Sequence, residues 1–533
     1  METTEKKKPE VAALDWTPEL EELRFRRKVA EGLGGPESIA YQHSKGKLTA
    51  RERLDLLLDE DSFREIGKIA GKGKYNKDGD LESFTPSNSI AGTGRIEGRK
   101  LIVTSDDFTI RAGSSESAVP EKWVYAERMA HEMEMPLIRL VDTAGGSVKD
   151  LEKNQGTKIP GYPMWSNVSL LGRVPVVGVA LGACAGLGAL RVGLAHFSVM
   201  VKDMSQVFAA GPPVVKQGLN QDVTKDELGG WQVHTRMSGV VNNEAVDEAD
   251  AFRQVRQFLS YMPRNVWEVP ERKFTDDDPW RVNEELNSII PKDRRKIYKP
   301  RKILETVFDK GSIFEIARTF GGSTITCLAR LNGYTVGVMA SDPIVMGGAL
   351  TLQSARKMER FVDLCDTFHI PIINFVDQPG VMTGLEAERN GTMGAAMRAI
   401  AAIEQAQTPW CSIIVRRAFG VGGGAHGPKQ GPEGRSLNHR FAWPSARWGS
   451  VPIEGGVAAS YKKEIAAAED PIARREELES YYHKLASPFR TAEKFGVVDI
   501  IEPSETRAVL SDWVEDAYEL TKRHVGLRCR TMR

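Results

Sequence analysis

Two glycine-rich stretches are the residues here most able to do chemistry. One runs Leu181-Gly-Ala-Cys-Ala-Gly-Leu-Gly-Ala-Leu190, the other Arg417-Ala-Phe-Gly-Val-Gly-Gly-Gly-Ala-His426. Each follows a buried, β-type run that starts at a proline, Pro175 or Pro409. Glycines at this spacing let successive backbone N–H groups point into a cavity with no Cβ in the way, and a helix beginning there adds its dipole. Such a nest can hold a developing oxyanion, an effect worth about 3–4 kcal/mol per donor where it has been measured in a protease. The alternative is a tight turn or close helix packing. Gly186 stands opposite Gly420, and two nests at matched places favour the chemical reading. The GVGGGA stretch also resembles a dinucleotide fingerprint. That motif needs an acidic residue about twenty positions on, at the end of a strand. Here the continuation is HGPKQGPEGRSLNHRFAWP, which does not read as a strand.

Other candidates are fewer. Asp142 and Asp377 end β-type runs and can be read as catalytic carboxylates or, preferably, as side chains holding the following turns, TAGGS and QPGVM. His426, beside the second nest, is a possible base, although no triad partner is evident among nine histidines. No H-E-x-x-H, G-x-S-x-G or Walker stretch is found in these segments. The five cysteines form no C-x-x-C pair, so no metal site is expected, and their scatter suits a reducing compartment.

The elements that position these residues are themselves duplicated. Displaced by 235 positions, Gly98, Asp107, Gly113, Pro136, Val141, Asp142 and Gly145 fall on Gly333, Asp342, Gly348, Pro371, Val376, Asp377 and Gly380. Matched glycines and prolines imply matched turns. At 533 residues two large domains are expected. Val/Ile-rich runs (LIVTS, LIRLVD, VPVVGVAL, FSVMVKD) alternate with helical stretches, the rhythm of an α/β fold. Residues 1–60 read as a helical segment packed outside the first core, with Thr49 as an N-cap. The first domain spans 61–275, a Pro- and charge-rich linker 276–300, and the second domain 301–533. The insert GKGKYNKDGDLESFTPS of the first copy reads as a surface loop, and the C-terminal part as a short strand and a long amphipathic helix. Lys+Arg and Asp+Glu both number 72, which excludes a bulk field for nucleic acid or anionic membrane. METTEKKKPE lacks the apolar core of a secretory signal, and the apolar run Val174–Leu190 is glycine-broken, so a cytoplasmic, non-membrane protein is expected.

With these segments in view, the chain resembles the carboxyltransferase (β) subunits of biotin-dependent acyl-CoA carboxylases of the propionyl-CoA and 3-methylcrotonyl-CoA type. The resemblance runs from about Ala40 to the C-terminus. It is carried by AYQHSKGKLTARERLDLLLDEDSF, SDDFTIRAGS, LGACAGLGAL with FSVMVKD, DVTKDELGGWQVHTRMSGV, INFVDQPG, ERNGTMGAAMRAI, FAWPSAR and VVDIIEPSETR. It implies two crotonase-like domains, a homohexameric core, and active sites between the first domain of one subunit and the second of another. It also implies that carboxybiotin, on a partner's carrier domain, releases CO2 in the site. The biotin enolate is held by the second-domain oxyanion hole, biotin takes the α-proton of the acyl-CoA, and the thioester enolate in the first-domain hole attacks CO2. No side-chain base is needed. Transferred position by position, the first hole falls on Gly186 and Leu187 and the second on Val421 and Gly422. Gly113, Ser114, Gly145, Gly146, Gly348, Gly380 and Gly424 line the ligand sites.

Several departures from the family pattern bear on substrate. Relatives usually have small residues at all four hole positions, so the Leu187 and Val421 side chains must point away from the ligands. Short-chain members often carry Asp where this chain has Gly424, and the usual G-G-A-R-I-Q-E-G stretch reads AGGSVKDLE at Ala144–Glu152. A larger or branched acyl group is therefore expected. No Met-Lys-Met biotin attachment or ATP-grasp segment is found, nor the zinc-ribbon cysteines of the bacterial acetyl-CoA carboxylase β-subunit. Biotin, and the ATP and Mg that carboxylate it, are expected at a biotin carboxylase and carrier partner. Two alternatives share the fold: the carboxyltransferase of a sodium-pumping acyl-CoA decarboxylase, and a non-catalytic scaffold paralogue.

Overall fold

The computed structural model describes residues 16–156, 163–293, 296–428 and 439–530. In chain order the first half carries strands β1 (Arg64–Glu65), β2 (Gly71–Tyr75), β3 (Leu81–Pro86), β4 (Ser89–Ile96), β5 (Arg99–Asp106), β6 (Leu137–Thr143), β7 (Val176–Ala185), β8 (Phe197–Val201), β9 (Gln206–Phe208) and β10 (Asn243–Ala245). The second carries β11 (Phe314–Glu315), β12 (Thr324–Leu331), β13 (Tyr334–Ser341), β14 (Ile372–Gln378), β15 (Trp410–Phe419), β16 (His439–Ala442), β17 (Arg447–Gly449) and β18 (Asp499–Ile500). The main sheets share one topology. The first runs β1-β4-β5-β6-β7-β8-β10 with β9 beside the end of β7; the second runs β11-β12-β13-β14-β15-β16-β18 with β17 beside the end of β15. In each, the strands from the third onward are parallel, and the central ones, β6–β7 and β14–β15, are buried on both faces, which is why they read as continuous Val/Ile runs without alternation.

The duplication holds at the level of register. Ile102 pairs Leu137 as Gly337 pairs Ile372, and the ladder slips at Val141/Thr143 as it does at Val376/Gln378. The hairpin turns before β5 and β13 place Glu97–Gly98 and Asn332–Gly333 at positive φ. In the first, the Asp59 carboxylate accepts both turn amides (3.0 and 2.9 Å); in the second, Asp309 does the same (3.1 and 2.8 Å).

Two expectations are corrected. The helical segment before residue 61 does not all pack outside the first core. Thr49 and Glu52 form a capping box, and the helix Ala50–Leu57 then buries Ala50, Leu54 and Leu57 in that core. Its counterpart Pro300–Val307 buries Ile303, Leu304 and Val307, so each copy of the repeat begins with a helix. The polar insert is not a loop: β2 and β3 form an antiparallel hairpin (Gly71↔Pro86 to Tyr75↔Leu81), and alternation of exposed lysines with Tyr75 and Phe84 suits a two-stranded ribbon. The expected strand and long helix near the C-terminus are β18 and Thr506–Lys522.

The two halves share one apolar core. Phe197 of β8 stacks on Phe258 (4.9 Å) and meets Phe314 of the second half edge-on (5.4 Å). The start of the linker is tied down: Arg507, fully buried, donates to Asp309 (2.8 Å) and to the carbonyls of Asp277 and Asp278, and a 3-10 turn follows at Glu284–Ser288. Among the described residues no helix is long and apolar enough to cross a membrane, and no group of His, Cys, Asp or Glu could hold a metal ion. Four cysteines are buried, Cys529 is exposed, and all five are free thiols.

Candidate active site

In each half, loops leaving the carboxyl ends of adjacent parallel strands converge, the usual place for a site in such a sheet. After β7, Gly186 takes φ 56°, ψ −112° and starts the helix Leu187–Gly193. After β15, Gly420 takes φ 63° and starts Gly420–Gly424. A left-handed turn suits glycine, and it aims the first helical amides outward, where no intrahelical acceptor exists for them. The two turns are equivalent, so Leu187 and Gly188 correspond to Val421 and Gly422.

The neighbouring loops close around these turns. A Cβ on Gly113 would meet the Asp142 carbonyl at 2.5 Å, one on Gly145 would meet Ala185 at 3.2 Å, and one on Gly188 would meet Thr143 Cγ2 at 2.5 Å. Gly113, Gly145 and Gly186–Gly188 therefore belong to one cluster. In the second half a Cβ on Gly348 would meet the Asp377 carbonyl at 3.0 Å, and one on Gly422 would meet Gly380 and Val381 at 3.1–3.4 Å, which unites Gly348, Gly380 and Gly422. Thr143 Oγ1 locks the first cluster, donating to the Gly113 carbonyl (2.7 Å) and accepting from Gly145 N–H (3.1 Å). Gln378 Oε1 accepts from Gly380 N–H (3.0 Å) in the second. The Ser114 carbonyl accepts from Asn88, while its hydroxyl is buried with no partner among the described residues. Gly146 and Gly424 border open space.

Not every residue of the first turn offers a donor. Gly186 N–H already donates to the Phe208 carbonyl of β9 (3.0 Å). The donors left in that turn are the amides of Leu187 and Gly188. The Leu187 side chain packs on Trp123 and Val124, while Val421 is 72 % exposed.

Asp142 and Asp377 neither hold the turns nor stand free for catalysis; both are fully buried ion-pair hubs. Asp142 Oδ2 meets Lys47 Nζ (2.6 Å) and Arg53 (3.0 Å), and Arg53 also binds Glu248 (2.7 Å). Asp377 meets Arg416 (2.8 Å), Arg417 (2.6 Å) and the Tyr298 hydroxyl (3.1 Å). Burial, and after it the charge of Asp377, push the Tyr298 phenol well above its ordinary range. The turns are instead held by the next residue in each case, Thr143 or Gln378.

His426 is buried. Its Nδ1 donates to the Gly423 carbonyl (2.6 Å), and its own carbonyl accepts from Asn374, Trp410 and Ser412. It braces the end of the short helix. A different histidine lies behind the first nest. His234 Nε2 donates to the Val207 carbonyl in β9 (2.5 Å), and Nδ1 meets Ser238 Oγ (2.9 Å). The next residue of β9, Phe208, holds Gly186. Within DVTKDELGGWQVHTRMSGV no motif marks His234 as functional. The signal available was Gly229, which must lack a Cβ because one would lie 2.1 Å from the same Val207 carbonyl. The stretch Ala144–Glu152 is tied to the loop before it, with Ser147 N–H donating to Ser115 Oγ (2.9 Å) and Ser147 Oγ to Glu116 (2.7 Å).

A duplicated α/β chain with paired backbone nests at strand ends defines a crotonase-like carboxyltransferase fold. Residues 41–528 match the carboxyl transferase domain family, and the chain belongs to it. It is 37 % identical over 491 residues to the propionyl-CoA carboxylase carboxyltransferase subunit of Haloferax mediterranei, covering 92 % of this chain and 94 % of that one. It is 32 % identical to the methylmalonyl-CoA decarboxylase subunit alpha of Veillonella parvula, over 90 % of this chain and 92 % of that one. A crystal structure of the transcarboxylase 12S hexamer with methylmalonyl-CoA and methylmalonic acid bound superimposes with a TM-score of 0.84 at 30 % identity, over 99 % of both chains. The protein is a carboxyltransferase of the propionyl-CoA carboxylase type.

Proposed function

We propose that this chain transfers CO2 to the α-carbon, or a vinylogous γ-carbon, of an acyl-CoA, taking it from carboxybiotin carried by a separate biotin carboxylase and carrier chain. Carboxybiotin supplies the CO2, and all other assistance comes from this chain's backbone. The observation that carries the reading is the pair of equivalent glycine turns, each opening a short helix at the end of a parallel strand. In the first half Leu187 and Gly188 N–H face the thioester oxygen as it gains negative charge. Gly186, expected from the resemblance to donate directly, keeps that turn in place through Phe208. In the second half Val421 and Gly422 N–H face the ureido oxygen of biotin. Preorganised amides in a water-poor site stabilise charge without reorganising during the reaction, and no side-chain base is required.

The fit of each turn to its ligand rests on space. Open volume at Gly146 and Gly424 leaves room for an acyl chain and for biotin, and the absent side chain at Gly424 suits an acyl group larger or more branched than propionyl. Because the two reactants meet between the first half of one subunit and the second of another, a hexamer like that of the transcarboxylase relative is the active form.

The test is purification of the native complex with its biotin-carrying partner, followed by assay against a panel of acyl-CoAs with ATP and bicarbonate. ATP-dependent carboxylation is expected; a complex binding acyl-CoA and carboxylated carrier yet inert would identify a scaffold. Strong preference for propionyl-CoA over longer or branched acyl-CoAs would overturn the Gly424 argument. The resemblance to a decarboxylase subunit favours one second reading, operation in reverse with membrane partners. Co-purification of a soluble biotin carboxylase excludes it.

A further inference from the structure

A cavity of about 280 Å³ lies between the halves, lined by Leu171 and His196 from the first and by Phe320, Lys357 and Phe361 from the second. It adjoins a groove of about 600 Å³, and Arg360 lines both spaces. None of the residues of either nest lines the cavity, so it is separate from the transfer site.

The charge on its wall is unbalanced. Lys357 and Arg360 stand three residues apart on the helix Leu352–Thr367, hence on one face. Lys357 is 4 % exposed, and its Nζ donates to the Phe320 carbonyl (2.9 Å). Arg360 donates to the Gly239 carbonyl across the domain boundary (2.5 Å). Among the described residues neither has a carboxylate within ion-pair distance. Arg530, also on the wall, is by contrast paired with Asp363 and Asp366. Burial pulls Lys357 down to about 7, while Glu315, itself held by Arg301, opposes that fall. A buried cation that meets only carbonyl dipoles is costly, and an anion supplied from outside removes the cost. The rest of the wall is mixed: Ile316, Phe320, Phe361 and Leu364 give it an apolar side, and Asn242, Thr326 and Thr367 add neutral polar groups.

We propose that this interdomain cavity binds a small organic carboxylate, its head between Lys357 Nζ and the Arg360 guanidinium and its short hydrocarbon tail against Phe320 and Phe361. A tailless inorganic anion would leave the apolar side of the wall, Ile316, Phe320, Phe361 and Leu364, without contact. Because both halves and Arg530 line the cavity, such a ligand stabilises the folded chain by mass action.

The experiment is titration calorimetry of the full-length protein with butyrate, its neutral isostere butyramide, and sulfate. One butyrate per chain is expected, with an unfolding midpoint that rises with butyrate and does not respond to butyramide. Lys357→Met, of similar length and uncharged, should weaken butyrate at least tenfold, and Arg360→Gln several-fold. Absence of butyrate binding in the wild type, or equal affinity in the variants, overturns the proposal; sulfate binding more tightly than butyrate overturns the carboxylate assignment. Should Lys357→Met fail to fold, Arg360→Gln at the mouth of the cavity decides the same question.

Discussion

Both halves anchor their reactive turns beside a short strand, but the first packs the turn's side chain while the second leaves it exposed. In the first, Gly186 is tied to β9 and Leu187 packs on Trp123 and Val124. In the second, Val421 points outward and Gly424 borders empty space. The buried hubs differ in the same sense. Asp142 draws its cations from Lys47 and Arg53, which lie outside the sheet, while Asp377 uses Arg416 and Arg417 of the neighbouring strand β15. On the proposed function one backbone plan would serve two ligands, the packed turn a small thioester oxygen and the exposed one a bulky group arriving on another chain.

Removing a hub cation breaks this contrast most severely. Arg53→Met leaves Asp142 and Glu248 buried with only Lys47 to compensate, and should cost about 3–5 kcal/mol of stability. Arg417→Met should cost far less, because Arg417 is partly exposed and Arg416 and Tyr298 remain on Asp377. Denaturant melts of both variants decide it; equal losses would mean that the two hubs do the same work.

Substitution of the turns comes next. Gly188→Ala puts a methyl 2.5 Å from Thr143 Cγ2, and Thr143 Oγ1 holds both Gly113 and Gly145. Displacing the Leu187 and Gly188 amides should lower kcat by about a hundred- to a thousand-fold, the loss seen for an oxyanion donor. Gly424→Ala meets nothing within 4 Å. It should leave the fold and smaller acyl-CoAs unaffected and selectively raise KM for larger ones. Steady-state kinetics across acyl chain lengths separate the two outcomes.

Much of this was legible in the chain. The 235-residue echo made the duplication and its matched turns legible, because the echoed glycines and prolines sit where φ is positive or strands begin. The two glycine turns at Gly186 and Gly420 were legible for the same reason. The hubs were not: Arg53 lies 89 residues from Asp142, and no local pattern joins them. The core role of Ala50–Leu57 was hidden by charge, since Arg53 is buried only because two carboxylates neutralise it. The insert's hairpin was missed because lysines and glycines favour a loop reading, with the packing of Phe84 visible only in three dimensions. The commitment of Gly186 N–H depends on β9, a three-residue strand too short to call from periodicity.

The entries to the two nest-bearing strands should also part company in acid. His196 Nδ1 accepts from Val176 N–H at the start of β7, and its Nε2 donates to the Leu171 carbonyl, so the folded form needs a neutral ring. Burial lowers its pKa from 6.5 to about 4. Between those values the unfolded chain binds the extra proton, so stability is lost as pH falls through 6.5 toward 4. The loss is about 2 kcal/mol between pH 8 and pH 5. At the start of β15 the Asp366 carboxylate takes the Gln407 and Thr408 amides instead. Hydrogen exchange at pH 5 should therefore open β7 before β15, and His196→Asn should flatten that pH dependence. Simultaneous opening would deny His196 this role.

The smallest effect concerns how the first turn is kept fixed. His234 acts through two peptide units: it holds the Val207 carbonyl, and Phe208 holds Gly186 N–H. It touches no reactant, so it is a positioning residue. His234→Leu should lower kcat about tenfold, which corresponds to about 1.4 kcal/mol, with KM for acyl-CoA nearly unchanged. His234→Gln, whose Nε2 can donate to the same carbonyl, should restore most of it. The second half supplies an internal control: on the proposed function, release of CO2 from the carboxylated carrier without acyl-CoA would depend on Val421 and Gly422, and it should be the same in both variants. A fall in that partial reaction, or failure of Gln to rescue, would show that His234 supports the fold generally and that the two turns are not held independently.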